Sequence, residues 1–238
     1  MRVVSLVPSI TEAVAVSLPG ALVGATDWCT HPAGLEVTRV GGTKNPDVGA
    51  VVALAPDLVV AHAEENRAGG LDALRAAGLR VHVTDIRTVA GAIASLGELL
   101  VAIAGVEPGW LRDARDAWAD PAPVRAGSRV RAVVPIWRRP WMHVGSDTYA
   151  GDVLARLGVD NVLAGHAERY PRIDPAALPP VDLVVLPDEP YAFTADDGPE
   201  VFAPTPSALV SGRLLTWYGP AMVDAPRGLT TALRAALA

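Results

Sequence analysis

Three sets of residues in this chain have types and spacings that could do chemistry. Cys29 and His31 stand two residues apart. A thiolate and an imidazole so placed could hold a soft or borderline metal ion, or ligate a chelated metal axially, with His62 and His143 as further nitrogen donors. A buried, inert cysteine beside a hydrogen-bonded loop histidine is the simpler reading of the pair, and the preferred one. The second set is cationic: Lys44, Arg67, Arg138 and Arg139. Arginine forks take carboxylate, amide oxygen or phosphate bidentately. The competing reading is solvated charge, or ion pairs with Glu64, Glu65, Asp188 or Glu189. The third set is aromatic. Trp28, Trp137, Trp141, Tyr170, Tyr191, Trp217 and Tyr218 fall at expected strand ends or loops, where flat rings offer large contact area at low entropy cost to a broad apolar ligand. Packing within the protein is the alternative for each ring, and it is the reading preferred for Trp110 and Trp118. The tip Glu64-Glu65-Asn66-Arg67 follows an apolar run, a position where ligand contacts concentrate.

Enzymatic patterns are missing. Neither GxGxxG nor GxxxxGK[ST] occurs around Gly41-Gly42, and there is no GxSxG elbow or HExxH helix. The chain is therefore read as not an enzyme. A net charge of −6 with no basic stripe argues against nucleic acid. The single cysteine excludes an internal disulfide and a CxxC metal site. Half of the residues are hydrophobic and 19% are charged, the balance of a globular chain. No apolar run approaches the ~18 residues of a membrane span, so direct membrane insertion is not expected. The opening MRVVSLVPS is strand-like, without a long apolar leader. As written, the chain reads as cytoplasmic. An exported, periplasmic-type protein whose leader had been removed would read the same way.

The elements that must carry these residues alternate. Strands are expected at Val3–Val7, Ala21–Ala25, Leu58–Ala61 and Val81–Thr84. Helices are expected after Ser9 (capped by Ser9 with Glu12 in a capping box), at Asp47–Leu54, and at Gly70–Ala77 ahead of Gly78. Thr88 to Ala119 reads as two helices broken at Pro108-Gly109, and Asp120–Ser128 as a linker. The pattern then restarts. Strands are expected at Val130–Ile136, Trp141–Val144, Leu183–Leu186 and Arg213–Trp217. Helices are expected at Thr148–Leu157, ended by Gly158, and at Pro220–Leu237 with a kink at Pro226. Strands alternating with helices imply parallel sheets. The halves also echo each other: Asp47…Pro56-Asp57-Leu58-Val59-Val60 resembles Asp174…Val181-Asp182-Leu183-Val184-Val185, and each ends in an acidic tip. The expected organisation is an N-terminal α/β lobe (1–86), bridging helices and linker (87–128) and a C-terminal α/β lobe (129–238). Both lobes would be Rossmann-like, with a ligand cleft between them.

The segments SLVPSITE (5–12), GATDWCTHP (24–32), GGTKNPD (41–47) and ALAPDLVVA (53–61) resemble the class III substrate-binding proteins. These are the helical-backbone metal receptors that serve ABC importers of vitamin B12 and ferric siderophores. VPIWRRPWMHVG (134–145), DTYAGDVLARLGVDNV (147–162), YPRID (170–174) and LVVLPDEPY (183–191) resemble the C-terminal lobe of the same superfamily. The resemblance implies a metal chelate as ligand, a corrinoid such as cobalamin first and a ferric siderophore or haem next. That chelate would be cargo, with no cofactor required, and an ABC importer permease would be the partner. It implies ring contacts from Trp28, Trp141 and Tyr170, and places His62 where relatives carry another aromatic. It also puts Gly49 and Ala176 where the B12 receptor has its two transporter-docking acids, with Asp47 and Asp174 two residues away. A cytosolic enzyme or ligand sensor reusing the fold is the remaining alternative.

Overall fold

Leu58–His62 (LVVAH) is buried at all five positions, the pattern of a strand covered on both faces of a parallel sheet. Its counterpart Leu183–Pro187 (LVVLP) is also buried throughout. Each anchors its own sheet in the computed structural model, which describes residues 1–238. The chain divides into two units. The first comprises Met1–Ile86, Ala90–Arg112 and Tyr218–Pro220; the second comprises Arg87–Val89, Asp113–Trp217 and Ala221–Ala238. Residues 87–128 are thus distributed between the two.

In the first unit the order is β1 (Val3–Ser5), α1 (Pro8–Ser17), β2 (Leu22–Ala25), β3 (Thr38–Arg39), the hairpin β4 (Gly41–Gly42) and β5 (Asn45–Pro46), α2 (Val48–Ala53), β6 (Leu58–His62), α3 (Ala68–Ala76) and β7 (Val81–Thr84). The sheet runs β3-β2-β1-β6-β7, and every pairing in it is parallel. Val4, Leu6, Val51, Val59, Leu71 and Leu74 form its core. The helices α4 (Val89–Ala104) and α5 (Gly109–Ala117) follow.

The second unit holds β8 (Val130–Val133), the hairpin β9 (Pro135–Arg138) and β10 (Trp141–His143), α6 (Tyr149–Arg156), β11 (Val159–Asn161), β12 (Leu183–Pro187), α7 (Pro199–Phe202), β13 (Ser207–Val210), α8 (Gly212–Thr216) and α9 (Ala225–Ala236). Its sheet runs β11-β8-β12-β13, again parallel. Val133, Leu163, Val184, Leu186 and Phe193 form a core cluster.

The internal echo is exact in its hydrogen bonding. Asp57 N donates to Arg2 O at 2.8 Å while Arg2 N donates to Asp57 Oδ2 at 2.6 Å. Asp182 N donates to Arg131 O at 2.8 Å while Arg131 N donates to Asp182 Oδ2 at 2.9 Å. Each aspartate locks its strand to the start of the central neighbour. The aspartates further upstream also match: Asp47 accepts from Ala50 N at 3.0 Å and caps α2, and Asp174 accepts from Ala176 N at 2.9 Å and caps a 3-10 turn at Pro175–Ala177.

Several expected elements differ. Helix α1 starts at Pro8 with Val7 as its N-cap and no side-chain cap bond, so the Ser9–Glu12 capping box does not form; proline at the first helical position supplies the start instead. The Val130–Ile136 strand is split, because the chain leaves the sheet after Val133 and enters the β9–β10 hairpin. Arg213–Trp217 lies in helix α8 and its C-cap, where Ser211 accepts from Leu214 N at 3.4 Å. The strand is Ser207–Val210, one element earlier. The last helix begins at Ala225 after a 3-10 turn at Pro220–Val223, and Pro226 sits in its first turn, where it fits without a kink. The short edge strands β3, β11 and β13 were not anticipated. Gly78 and Gly158 do follow α3 and α6 with φ of +83° and +78°, as helix-ending glycines require.

Candidate functional site

Ligands on open α/β sheets meet the loops beyond the carboxyl ends of the strands, where the strand order reverses. In the first unit β1 has β2 on one side and β6 on the other, so the loops after β1 and β6 diverge. Asn66 fixes that point. Its Oδ1 accepts from His62 N at 2.8 Å, and its Nδ2 donates to Leu6 O at 3.3 Å and Thr43 O at 2.7 Å. One side chain thus ties both loops to the glycine hairpin. The sequence flagged the tip but not this role for Asn66.

Six residues expected to contact ligand belong to this unit. Tyr218 OH donates to Glu65 Oε1 at 2.9 Å, and its ring lies 5.3 Å from that of His62. Burial pushes the Glu65 carboxyl up to about 7; Tyr218 opposes the rise and Glu64 adds to it. Burial also raises the Tyr218 phenol well above its ordinary value, and Glu65 adds to that rise. His62 is 1% exposed. Ile86 N approaches its Nε2 at 3.0 Å and Glu64 N its Nδ1 at 3.2 Å. A neutral imidazole has one acceptor nitrogen, so it can accept from only one of these two amides at a time. Arg67 donates to Asn45 Oδ1 at 3.0 Å. Lys44 is exposed at the hairpin turn. Trp28, on the loop after β2, is 69% exposed.

Cys29 is fully buried. The Thr11 hydroxyl donates to its Sγ at 3.0 Å and Thr26 Oγ1 lies 3.1 Å away. Burial raises the thiol's pKa against the opposing effect of those bonds, so the thiolate form is disfavoured. His31 Nδ1 lies 3.2 Å from Thr30 Oγ1. No group of three or more His, Cys, Asp or Glu side chains is arranged to hold a metal ion, so the proposed Cys29–His31 pair gains no third donor.

In the second unit the aromatics converge. Trp141 stacks on Phe193 at 6.0 Å and 8°, and meets Phe202 edge-on at 5.3 Å and 80°. Tyr191 packs against Phe193 at 4.7 Å and Trp137 at 5.7 Å. Trp137 is 42% exposed, whereas Trp141 and Tyr191 rest on the core cluster. Arg138 lies over the Trp141 ring at 5.6 Å and pairs with Asp197 and Glu200. Tyr191 OH donates to Asp197 Oδ2 at 2.6 Å. The Gly198 amide, helped by Arg138, holds the Glu200 carboxyl below its ordinary value. Phe193 and Phe202, the chain's two phenylalanines, escaped the sequence reading although both touch Trp141. Beyond β12, Asp188 Oδ1 accepts from Gly212 N at 2.6 Å. Burial raises the neighbouring Glu189 carboxyl, with Asp188 adding to the rise and Trp217 and Arg213 opposing it. Arg213 lies over Trp217 at 5.7 Å. Tyr170 is half-buried. His143 is fully buried, with its Nε2 3.1 Å from Ile173 O.

No family model matches the chain. A vitamin B12-binding protein from Vibrio parahaemolyticus is 27% identical over 179 residues, a match spanning 72% of this chain and 64% of that protein's length. The periplasmic heme-binding protein BhuT, solved with two hemes, is 25% identical, with 100% of this chain and 99% of its own aligned and a TM-score of 0.78. The apo form of the heme-binding protein RhuT from Roseiflexus sp. RS-1 aligns over 100% of this chain and 99% of its own at 19% identity, with a TM-score of 0.82. The vitamin B12-binding protein BtuF of Vibrio cholerae aligns over 99% and 97% at 19% identity, with a TM-score of 0.72. All three solved relatives are described as periplasmic, which agrees with the exported reading of the sequence and lends none to the cytoplasmic one. No helix is long and apolar enough to cross a membrane. The solved neighbours are class III periplasmic binding proteins, the superfamily that the motifs at 5–12, 24–32, 41–47 and 53–61 resemble, and this chain has their α/β fold.

Proposed function

We propose that this protein binds a metal chelate and passes it on unchanged, with a corrinoid foremost and a haem or ferric siderophore next. The observation that carries the reading is the end-to-end match to a heme-binding protein at 25% identity. A B12-binding relative at 27% identity supports putting corrinoids first in this reading. Its relatives are named as binding proteins, which supports binding without turnover. Ring contacts are assigned to Trp28, Trp137, Trp141, Tyr170, Tyr191, Trp217 and Tyr218, and polar contacts to Lys44, His62, Glu65, Arg67 and Arg138. Exposure of 69% at Trp28 and 42% at Trp137 leaves those two rings accessible to a ligand, as the first assignment requires.

The protein would be exported and would serve an ABC importer permease. That partner would meet no acid at Gly49 or Ala176, while the nearby Asp47 and Asp174 are exposed and cap their helical turns through one oxygen each. The test is titration with cyanocobalamin, cobinamide, hemin and several ferric siderophores, followed by tryptophan quenching and visible-band shifts. Binding of at least one chelate tighter than about 100 μM, roughly −5.5 kcal/mol, is expected. Failure of all of them to bind at that level removes the reading.

A further inference from the structure

The side chains able to attract an anion are largely engaged within their own unit. Arg138 pairs with Asp197 and Glu200 and covers Trp141. Arg67 donates to Asn45. Arg39 donates to the carbonyls of Thr26, Cys29 and Leu35. Arg213 lies over Trp217 and acts on Glu189. Lys44 and Arg139 remain as exposed cations on the flanking hairpins.

The carboxyl ends of the central strands carry acids instead: Glu64 and Glu65 after β6, and Asp188 and Glu189 after β12. Glu65 is half-buried. Tyr218 engages its Oε1, whereas a carboxylate offers about four acceptor sites over its two oxygens. Glu189 Oε1 is buried with no hydrogen-bond partner, a state that a donor from outside would relieve. A desolvated carboxylate repels another carboxylate strongly, and gives an N–H donor a charge-assisted bond. The raised pKa of Glu65 agrees with that desolvation, and at pH 8 the group is mostly ionised.

On the chelate-binding reading above, we infer that Glu65 is a specificity-determining residue that selects chelates with N–H-bearing or cationic peripheries, such as carboxamides, over chelates with carboxylates. Selection of this kind works chiefly by penalising the wrong ligand.

Matched pairs that differ only at peripheral carboxyl groups test it: cyanocobalamin against one of its monocarboxylic acids, and the dimethyl ester of hemin against hemin. Both pairs are titrated into the full chain at pH 8 by tryptophan quenching, with wild type and Glu65→Gln. In whichever pair binds, the uncharged member should bind at least about tenfold tighter, and Glu65→Gln should bring the ratio below about threefold. Equal affinities, tighter binding of the acid, or a ratio unmoved by Glu65→Gln overturns the inference and leaves chelate binding standing. Absence of binding by all four compounds overturns the inference, and the chelate-binding reading falls with it only when cobinamide and the ferric siderophores also fail to bind. Should Glu65→Gln fail to fold, the wild-type ratio is read again at pH 6, where Glu65 is mostly protonated; a ratio that does not fall there overturns the inference.

Discussion

The Tyr218 hydroxyl donates to Glu65 Oε1 at 2.9 Å although 153 residues separate the two. The bond gives a half-buried carboxyl one good donor, yet burial still outweighs it and holds the group up to about 7, from an ordinary 4.5. The folded state therefore keeps the Glu65 proton to higher pH than the unfolded chain does. Below pH 4.5 both states are protonated and stability is unaffected. Between 4.5 and 7 the unfolded chain ionises first, so stability falls as pH rises, by at most about 3 kcal/mol, and the loss is complete above 7. Glu65→Gln keeps an acceptor for Tyr218 and removes the titration. Its melting temperature should exceed that of wild type at pH 8 and match it near pH 4; equal curves at both values contradict the account.

Asn66 makes three bonds to backbone groups of three different segments. Asn66→Ala strands a donor and two acceptors and should cost about 2–3 kcal/mol in guanidinium unfolding. Asn66→Asp keeps the acceptor for His62 N but sets an oxygen against the Leu6 and Thr43 carbonyls. It should be no more stable than the alanine variant.

Two of the four tryptophans assigned to ligand contact, Trp28 and Trp141, should separate cleanly. Trp28 is 69% exposed, so Trp28→Ala should leave unfolding within about 0.5 kcal/mol of wild type and weaken a bound chelate by more than about 1 kcal/mol. Trp141 is held by Phe193, Phe202 and Arg138. Trp141→Ala should cost about 3 kcal/mol of stability. Calorimetry and ligand titration on the same two variants measure both quantities.

The Cys29 thiol is buried between Thr11 and Thr26. A water-soluble disulfide reagent should modify it at least about 100-fold faster in denaturant than in the native protein. Fast native labelling would show a reachable thiolate and revive the metal-ligand reading with His31.

Local pattern carried much of the fold. The apolar runs Leu58–Val60 and Leu183–Val185 and the helix-ending Gly78 and Gly158 need only their neighbours in sequence to be understood, and so does the cap at Asp47. Longer-range competition hid the rest. Arg213–Trp217 has strand-like content, but Ser211 starts a helix there and the edge of the sheet is taken by Ser207–Val210. Arg138 reads as an anion clamp until Asp197 and Glu200 are brought beside it. The support of Trp141 by Phe193 and Phe202 likewise depends on segments some 50 to 60 residues further along the chain.

The membership of Tyr218–Pro220 in the first unit has a consequence for biosynthesis. A ribosome delivers residues 1–112 early, but those alone leave Glu65 without its phenol donor and His62 without its ring neighbour. The N-terminal sheet can assemble as it emerges, since domains form in order of synthesis. Its carboxyl-end loops are finished only when about nine-tenths of the chain has been translated, so a nascent or truncated chain would present that edge open and acidic.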